Sequence, residues 1–98
     1  MPSAESAHVR RNTAQRRFEI EVDGQVAGFI TYRDRGGVLE LVHTEIDGQY
    51  EGRGLRGQLV RGAVDDARQQ AQKVLPSCSF AASWLQRHPE FGDTVASG

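Results

Sequence analysis

Tyr50-Glu51-Gly52-Arg53-Gly54-Leu55-Arg56-Gly57 sets three glycines and two arginines between a strand-like run and an amphipathic helix. Glycine tolerates positive φ and lets the backbone pass close to a ligand, so successive N–H groups there can turn inward around an anion. A helix beginning near Leu55 would add unpaired N–H groups and the positive end of its dipole. Arg53 and Arg56 would bring full charges to the rim. A plain turn is the competing reading of such a loop.

The rest of the composition limits where that anion could come from. At 98 residues the chain is one domain, large enough for a core but short for a self-sufficient enzyme with a deep pocket. Twelve basic residues face 13 acidic ones for a net charge of -1, so no global field draws it to nucleic acid or membrane. An anion site must therefore be local. The single cysteine, Cys78, excludes an internal disulfide, and with three scattered histidines it gives no metal-ligand spacing. A reducing cytoplasm is the default expectation. No apolar run approaches the roughly 18 residues that span a bilayer, and Met1 to Gln15 lacks the apolar segment of a secretory signal.

Residues 1–15 show no periodicity and read as a mobile tail, with an ordered domain over 16–93 and a short tail over 94–98. Phe18, Ile20 and Val22 alternate with Glu19 and Glu21 as in a half-buried strand, and Asp23-Gly24 signals a two-residue hairpin. The return strand runs from Gln25 to Arg33. After a turn at Asp34-Arg35-Gly36-Gly37, Val38 to Ile46 is apolar on both faces at its centre and reads as an interior strand. Beyond the glycine loop, Leu55, Leu59, Ala63, Ala67 and Ala71 recur every four residues, one face of a long helix. Val74-Leu75 predicts a brief strand ending at Pro76, parallel to the third strand after the helical crossover. Ser79 to His88 predicts a last helix with Ser77 or Ser79 as N-cap, Phe80 and Trp84 inward, and Pro89 as its stop.

The loop literally satisfies GxGxxG, but the place of the acidic residue about 20 positions on is taken by Leu75-Pro76-Ser77-Cys78. Three preceding meander strands also leave no room for a doubly wound sheet. A Walker loop fails because no Lys-Ser or Lys-Thr follows the last glycine. The order that fits is meander, strand ending in a Q/R-x-x-G-x-G/A loop, long helix, short strand, last helix. With Leu41-Val42-His43-Thr44, Pro76-Ser77-Cys78-Ser79-Phe80 and Arg87-His88-Pro89-Glu90, the chain resembles the GNAT superfamily, specifically its small acetyltransferase-like proteins of roughly this length. The resemblance covers Phe18 to Phe91. It departs at Glu51, where glutamine or arginine is usual, and at Arg56, where glycine or alanine is usual.

The resemblance implies an α+β fold: an antiparallel meander leading into a splayed parallel strand pair, with one long central helix and a short C-terminal helix. It implies acetyl-CoA, its pyrophosphate on Glu51, Gly52, Arg53, Gly54, Leu55, Arg56 and Gly57. The pantetheine arm would run between one wall at Val42, Thr44, Glu45 and Ile46 and another at Val74, Leu75 and Pro76, reaching Ser77 and Cys78. Pro76 has no N–H and cannot zip that gap closed.

Acetyl transfer to an amine needs the amine deprotonated, the thioester carbonyl polarised and a proton for the departing thiolate. His43 is a candidate base, since an ordinary imidazole titrates at about 6.5; a hydrogen-bonded structural histidine is the alternative. Glu45, two residues on and so on the same strand face, could relay protons through water or be solvated. Cys78, beside a helix start that favours thiolates, could take the acetyl group, protonate the leaving group or merely fill space. His88 reads as a cap on helix carbonyls, and Phe80 and Trp84 as core.

Full-length GNAT enzymes carry two helices between their first strands, and Phe18 to Tyr32 leaves no space for them. The acceptor side should therefore be open, to a protein terminus or lysine chain or to a partner. Three readings follow: an N-acetyltransferase acting on an unidentified amine, a non-catalytic acyl-CoA-binding or sensing module, and an interaction domain without a ligand. Neither nucleic acid nor membrane is expected as a partner, and the chain should be a monomer or weak dimer.

Overall fold

The computed structural model describes residues 7–96. Five strands form one sheet in the order β1-β2-β3-β4-β5. β1 (Ala7–Asn12), β2 (Arg17–Val22), β3 (Gln25–Asp34) and β4 (Val38–Ile46) pair antiparallel; β5 (Lys73–Pro76) joins β4 in parallel after the crossover helix α1 (Leu55–Gln69). A second helix, α2 (Ser79–Gln86), and a 3₁₀ segment (Pro89–Thr94) complete the fold. This is the α+β architecture expected of the chain.

Local chemistry sets the elements. Asp23 and Gly24 both take positive φ, 51° and 82°, which joins β2 to β3 in the mirror-image turn that suits strand twist. α1 buries Leu55, Leu59, Val60, Ala63, Val64 and Ala67 against Phe18, Ile20, Ile30, Leu39 and Leu41 of the sheet. The helix closes with Gln72 N–H on the Ala67 carbonyl and Ala71 N–H on that of Arg68, while Ala71 takes the left-handed conformation usually left to glycine.

Two of the expected tails are structured. Residues 7–12 form β1, an edge strand paired along the whole of β2, and residues 13–16 are the turn between them. Residues 1–6 lie outside those described. β1 escapes a hydropathy reading because an arginine occupies an inward position. The Arg11 guanidinium lies 4.5 Å from the Tyr32 ring centroid and donates to Tyr32 Oη, Asp66 and Asp34 at 2.9–3.1 Å. Beside it, Val9 docks against the bare backbone of Gly62 on α1, where an added Cβ would lie 2.6 Å from Val9 Cβ. At the other end, Thr94 is buried, Val95 bridges Val74, and the Ala96 N–H donates to the Val74 carbonyl. The ordered chain thus runs past 93 as well; residues 97–98 lie outside those described.

β4 contains the irregularity that shapes the site. Thr31 pairs with His43 but Tyr32 pairs with Leu41, so Val42 is an extra residue. The bulge reverses the alternation. Leu39 and Leu41 are fully buried on the helix face before it; after it Thr44 and Ile46 are the half-buried residues, while His43 and Glu45 are exposed. What reads in sequence as a strand apolar on both faces is one face carried through a shift of register.

Candidate functional site

The parallel ladder between β4 and β5 ends at Leu41 opposite Pro76. One further bond, Cys78 N–H to the Leu41 carbonyl at 2.9 Å, crosses the divide before the chain turns into α2. Among the described residues, β4 has no strand on that side from Val42 onward. The gap predicted from sequence exists, but its far wall is Ser77, Cys78 and the start of α2; Val74, Leu75 and Pro76 belong to the zipped portion below it. Pro76 is the last paired residue, as expected of a residue that cannot donate.

Across the gap, Thr44 Oγ1 lies 3.2 Å from Cys78 Sγ. Cys78 is the N-cap of α2 and makes no side-chain capping bond, so neither Ser77 nor Ser79 caps the helix. Ser77 instead donates its hydroxyl to Glu40 at 2.5 Å, and Arg35 binds the other oxygen of that carboxylate at 3.0–3.1 Å. These donors, Ser77 foremost, hold the Glu40 carboxyl below the usual range despite partial desolvation.

His43 Nε2 and Glu45 Oε2 are 3.1 Å apart on the open face, each side chain about 60% exposed (59% and 61%). They form a pair as their spacing predicts. The bulge at Val42 nevertheless places them on the opposite face of the sheet from Thr44 and Cys78. The three candidate catalytic residues therefore make two clusters.

The glycine loop runs from a 3₁₀ turn (Gly48–Tyr50), capped by Asp47, into α1. Gly52 and Gly54 take φ of 80° and 73°, and Gly54 is the N-cap of α1. Among the described residues no side chain caps that end, and no acidic residue stands in its first turn. The first-turn amides of a 15-residue helix are thus left to whatever sits before them. In front of them is a cavity of about 210 Å³ lined by Ile46, Tyr50, the glycine loop and Phe80. Tyr50 and Phe80 were not among the site residues predicted from sequence; an aromatic directly before the loop is the signal that could have marked Tyr50. The Arg53 guanidinium lies 5.3 Å from the Tyr50 ring centroid.

Both departures from the family loop pattern meet here. Arg56 donates to Glu51 through both terminal guanidinium nitrogens, Nη1 to Oε1 and Nη2 to Oε2, the latter at 2.8 Å. The fork holds the Glu51 carboxyl below its ordinary range and raises Arg56. Glu51 is therefore neutralised on its own loop. Gly57 has a separate role beside lining the cavity. A Cβ there would stand 3.0 Å from Trp84 Nε1, so this glycine lets α2 close onto α1.

At the far end of α2, His88 Nδ1 donates to the Trp84 carbonyl at 2.7 Å and its ring stacks on the Trp84 indole at 3.8 Å, the cap its position predicts. Trp84 is core, as expected. Among the described residues no group of histidine, cysteine and carboxylate side chains could hold a metal, and no helix is long and apolar enough to cross a membrane.

Comparison with known proteins agrees with this geometry. The family model described as GCN5-related N-acetyl-transferase matches residues 17–94. The NMR solution structure of a GCN5-like protein from Staphylococcus aureus matches with a TM-score of 0.69 at 24% identity, over 93% of this chain and 89% of that one. That likeness speaks for the fold; the family model, over most of the chain, speaks for descent and supports a general acetyltransferase function. The chain belongs to the GCN5-related N-acetyltransferase family.

Proposed function

We propose that the chain binds acetyl-CoA and transfers its acetyl group to an amine. The observation that carries this reading is the uncapped start of α1 facing a cavity, with Gly52 and Gly54 in the left-handed conformation in front of it. The cofactor's diphosphate would rest on the amides of Gly54, Leu55, Arg56 and Gly57, with Arg53 at the rim. Amide donors fixed by the fold lose little entropy on binding, and the helix dipole adds a smaller favourable term. Bound there, acetyl-CoA supplies an activated thioester along the unpaired edge from Val42 to Ile46.

Cys78 and Thr44 stand where that edge meets Leu41, so the arm's reach ends at the thiol. In the covalent route Cys78 Sγ takes the acetyl group as the CoA thiol leaves with a proton, and the acceptor nitrogen then displaces Sγ, regenerating the thiol. In the direct route the amine attacks from the open face, where His43 backed by Glu45 accepts its proton. The separation of those two from Cys78 favours a division of labour over a single triad.

A second reading, an acyl-CoA-binding module without turnover, is favoured by two short turns: the one expected between Phe18 and Tyr32 (β2 to β3) and, since β1 precedes them, the one at residues 13–16; neither holds the helices of full-length GNAT enzymes. Calorimetry with CoA and acetyl-CoA tests what both readings share. Saturable binding is expected, with stability raised by about 2.7 kcal/mol at 100 times the dissociation constant. Absence of heat and of any thermal shift would leave neither. Acetylation of a panel of amines, peptides included, then separates the two.

A further inference from the structure

We infer that the chain carries a second anion site, remote from the glycine loop, at the turn between β1 and β2. A cavity of about 500 Å³ there is lined by Arg11, Thr13, Arg16, Tyr32, Arg33 and Asp34. Its wall offers donors almost exclusively. The side chains of Arg16 and Arg33 make no hydrogen bond or ion pair with any described residue, and the Arg33 guanidinium feels Glu40 only through space. The Thr13 hydroxyl is equally unengaged. Tyr32, 6% exposed, accepts a bond from Arg11 and donates none, so its O–H hydrogen is unspent. The one carboxylate in the lining, Asp34, is already filled by Arg11, the Gly36 N–H and Gln72 Nε2 at 2.9–3.0 Å.

A cavity walled by two unmatched guanidinium forks and two hydroxyl donors, with its carboxylate neutralised internally, fits an oxyanion. Its size leaves room for an organic body behind the charged group. The ligand class is a small organic phosphate or carboxylate. This site is distinct from the proposed cofactor cavity: Tyr32 pairs with Leu41, five residues before Ile46 at the other cavity's mouth, a separation of about 16 Å along the strand.

The test is an NMR titration of the whole chain with phenyl phosphate and, separately, benzoate, following backbone amides and arginine Nε–H signals. Saturable shifts at Thr13, Arg16, Tyr32 and Arg33 are expected with at least one probe, and the stronger of the two names the headgroup. Affinity should fall at least tenfold in Arg16→Gln/Arg33→Gln and also in Thr13→Val, whose fold the same spectra verify. It should be unchanged in Arg53→Glu, which separates this site from the cofactor reading. Shifts that never saturate, that spread equally over Arg10, Arg61 and Arg87, or that survive the double substitution would overturn the assignment.

Discussion

The hydroxyl of Thr44 lies 3.2 Å from the thiol of Cys78, across the point where β4 and β5 stop pairing. A single hydrogen bond of this kind is worth about 1 kcal/mol net. If acetyl passes through Cys78, intact-mass analysis after incubation with acetyl-CoA should show one acetyl group on that residue, and Cys78→Ala should show none. Thr44→Val should keep the adduct but slow its formation by roughly threefold to tenfold. Undiminished turnover in Cys78→Ala would assign the chemistry to the direct route.

Glu51 and Arg56 should behave as a unit toward CoA. Arg56→Ala exposes an uncompensated carboxylate beside the diphosphate and should weaken binding by about tenfold, a cost of some 1.4 kcal/mol. Glu51→Gln releases the Arg56 fork toward the ligand and should tighten it. In Glu51→Gln/Arg56→Ala the two effects should offset, giving an affinity within about threefold of the parent. Calorimetric titration of the three variants checks this; a double variant that binds as weakly as Arg56→Ala would mean that Arg56 itself holds the ligand.

Gly62→Ala should destabilise the chain by about 1–3 kcal/mol in denaturant melts, since its Cβ would press to 2.6 Å from Val9 Cβ on β1. The gain in helix propensity, about 1 kcal/mol, does not offset that clash. Val9→Ala in the same background should recover part of the loss. A Gly62→Ala chain as stable as the parent would show that β1 is loosely held.

β1 is also the element that sequence reading misses. The hairpin at Asp23-Gly24, both helices and the parallel β5 were legible because each rests on local period and turn chemistry. Arg11 breaks the pattern. Its inward position is satisfied by Tyr32, Asp34 and Asp66, partners 21 to 55 positions away that no window of sequence joins. The same holds for Val95, ordered by Val74. At the site, the glycine loop was visible in its residue types, and the gap at Pro76 in its missing donor. Which face His43 and Glu45 occupy was not, because the Val42 bulge depends on registry with β3. The weak trace it leaves is that the helix-facing positions step from odd numbers, the buried Leu39 and Leu41, to even ones, the half-buried Thr44 and Ile46.

Acid should unfold the chain from below the usual carboxylate range. Burial pushes Glu19 up, but donors on Arg17 and Asn12 outweigh it and hold the group below its ordinary 4.5. Asp34 is held below 3.8 by the Gly36 N–H, then Gln72 and Arg11, and Asp93 by Arg68. Carboxyls depressed in the folded state contribute stability that is complete above the unfolded-state value and lost as pH falls through the folded one. Melting temperature should therefore be flat from neutrality to about pH 5 and fall progressively below about pH 4. Asp34→Asn should shallow that fall. A melting temperature independent of pH from 5 down to 3 would contradict the assigned partners.

The most direct test of the central claim is an amide NMR titration with CoA, which reads whether the start of α1 holds the diphosphate. Saturable shifts are expected at Gly52, Gly54, Leu55, Arg56 and Gly57, continuing along Val42 to Ile46 and Cys78, with the loop shifts weakened in Arg53→Glu. Saturation elsewhere on the surface with those amides unmoved would contradict the account.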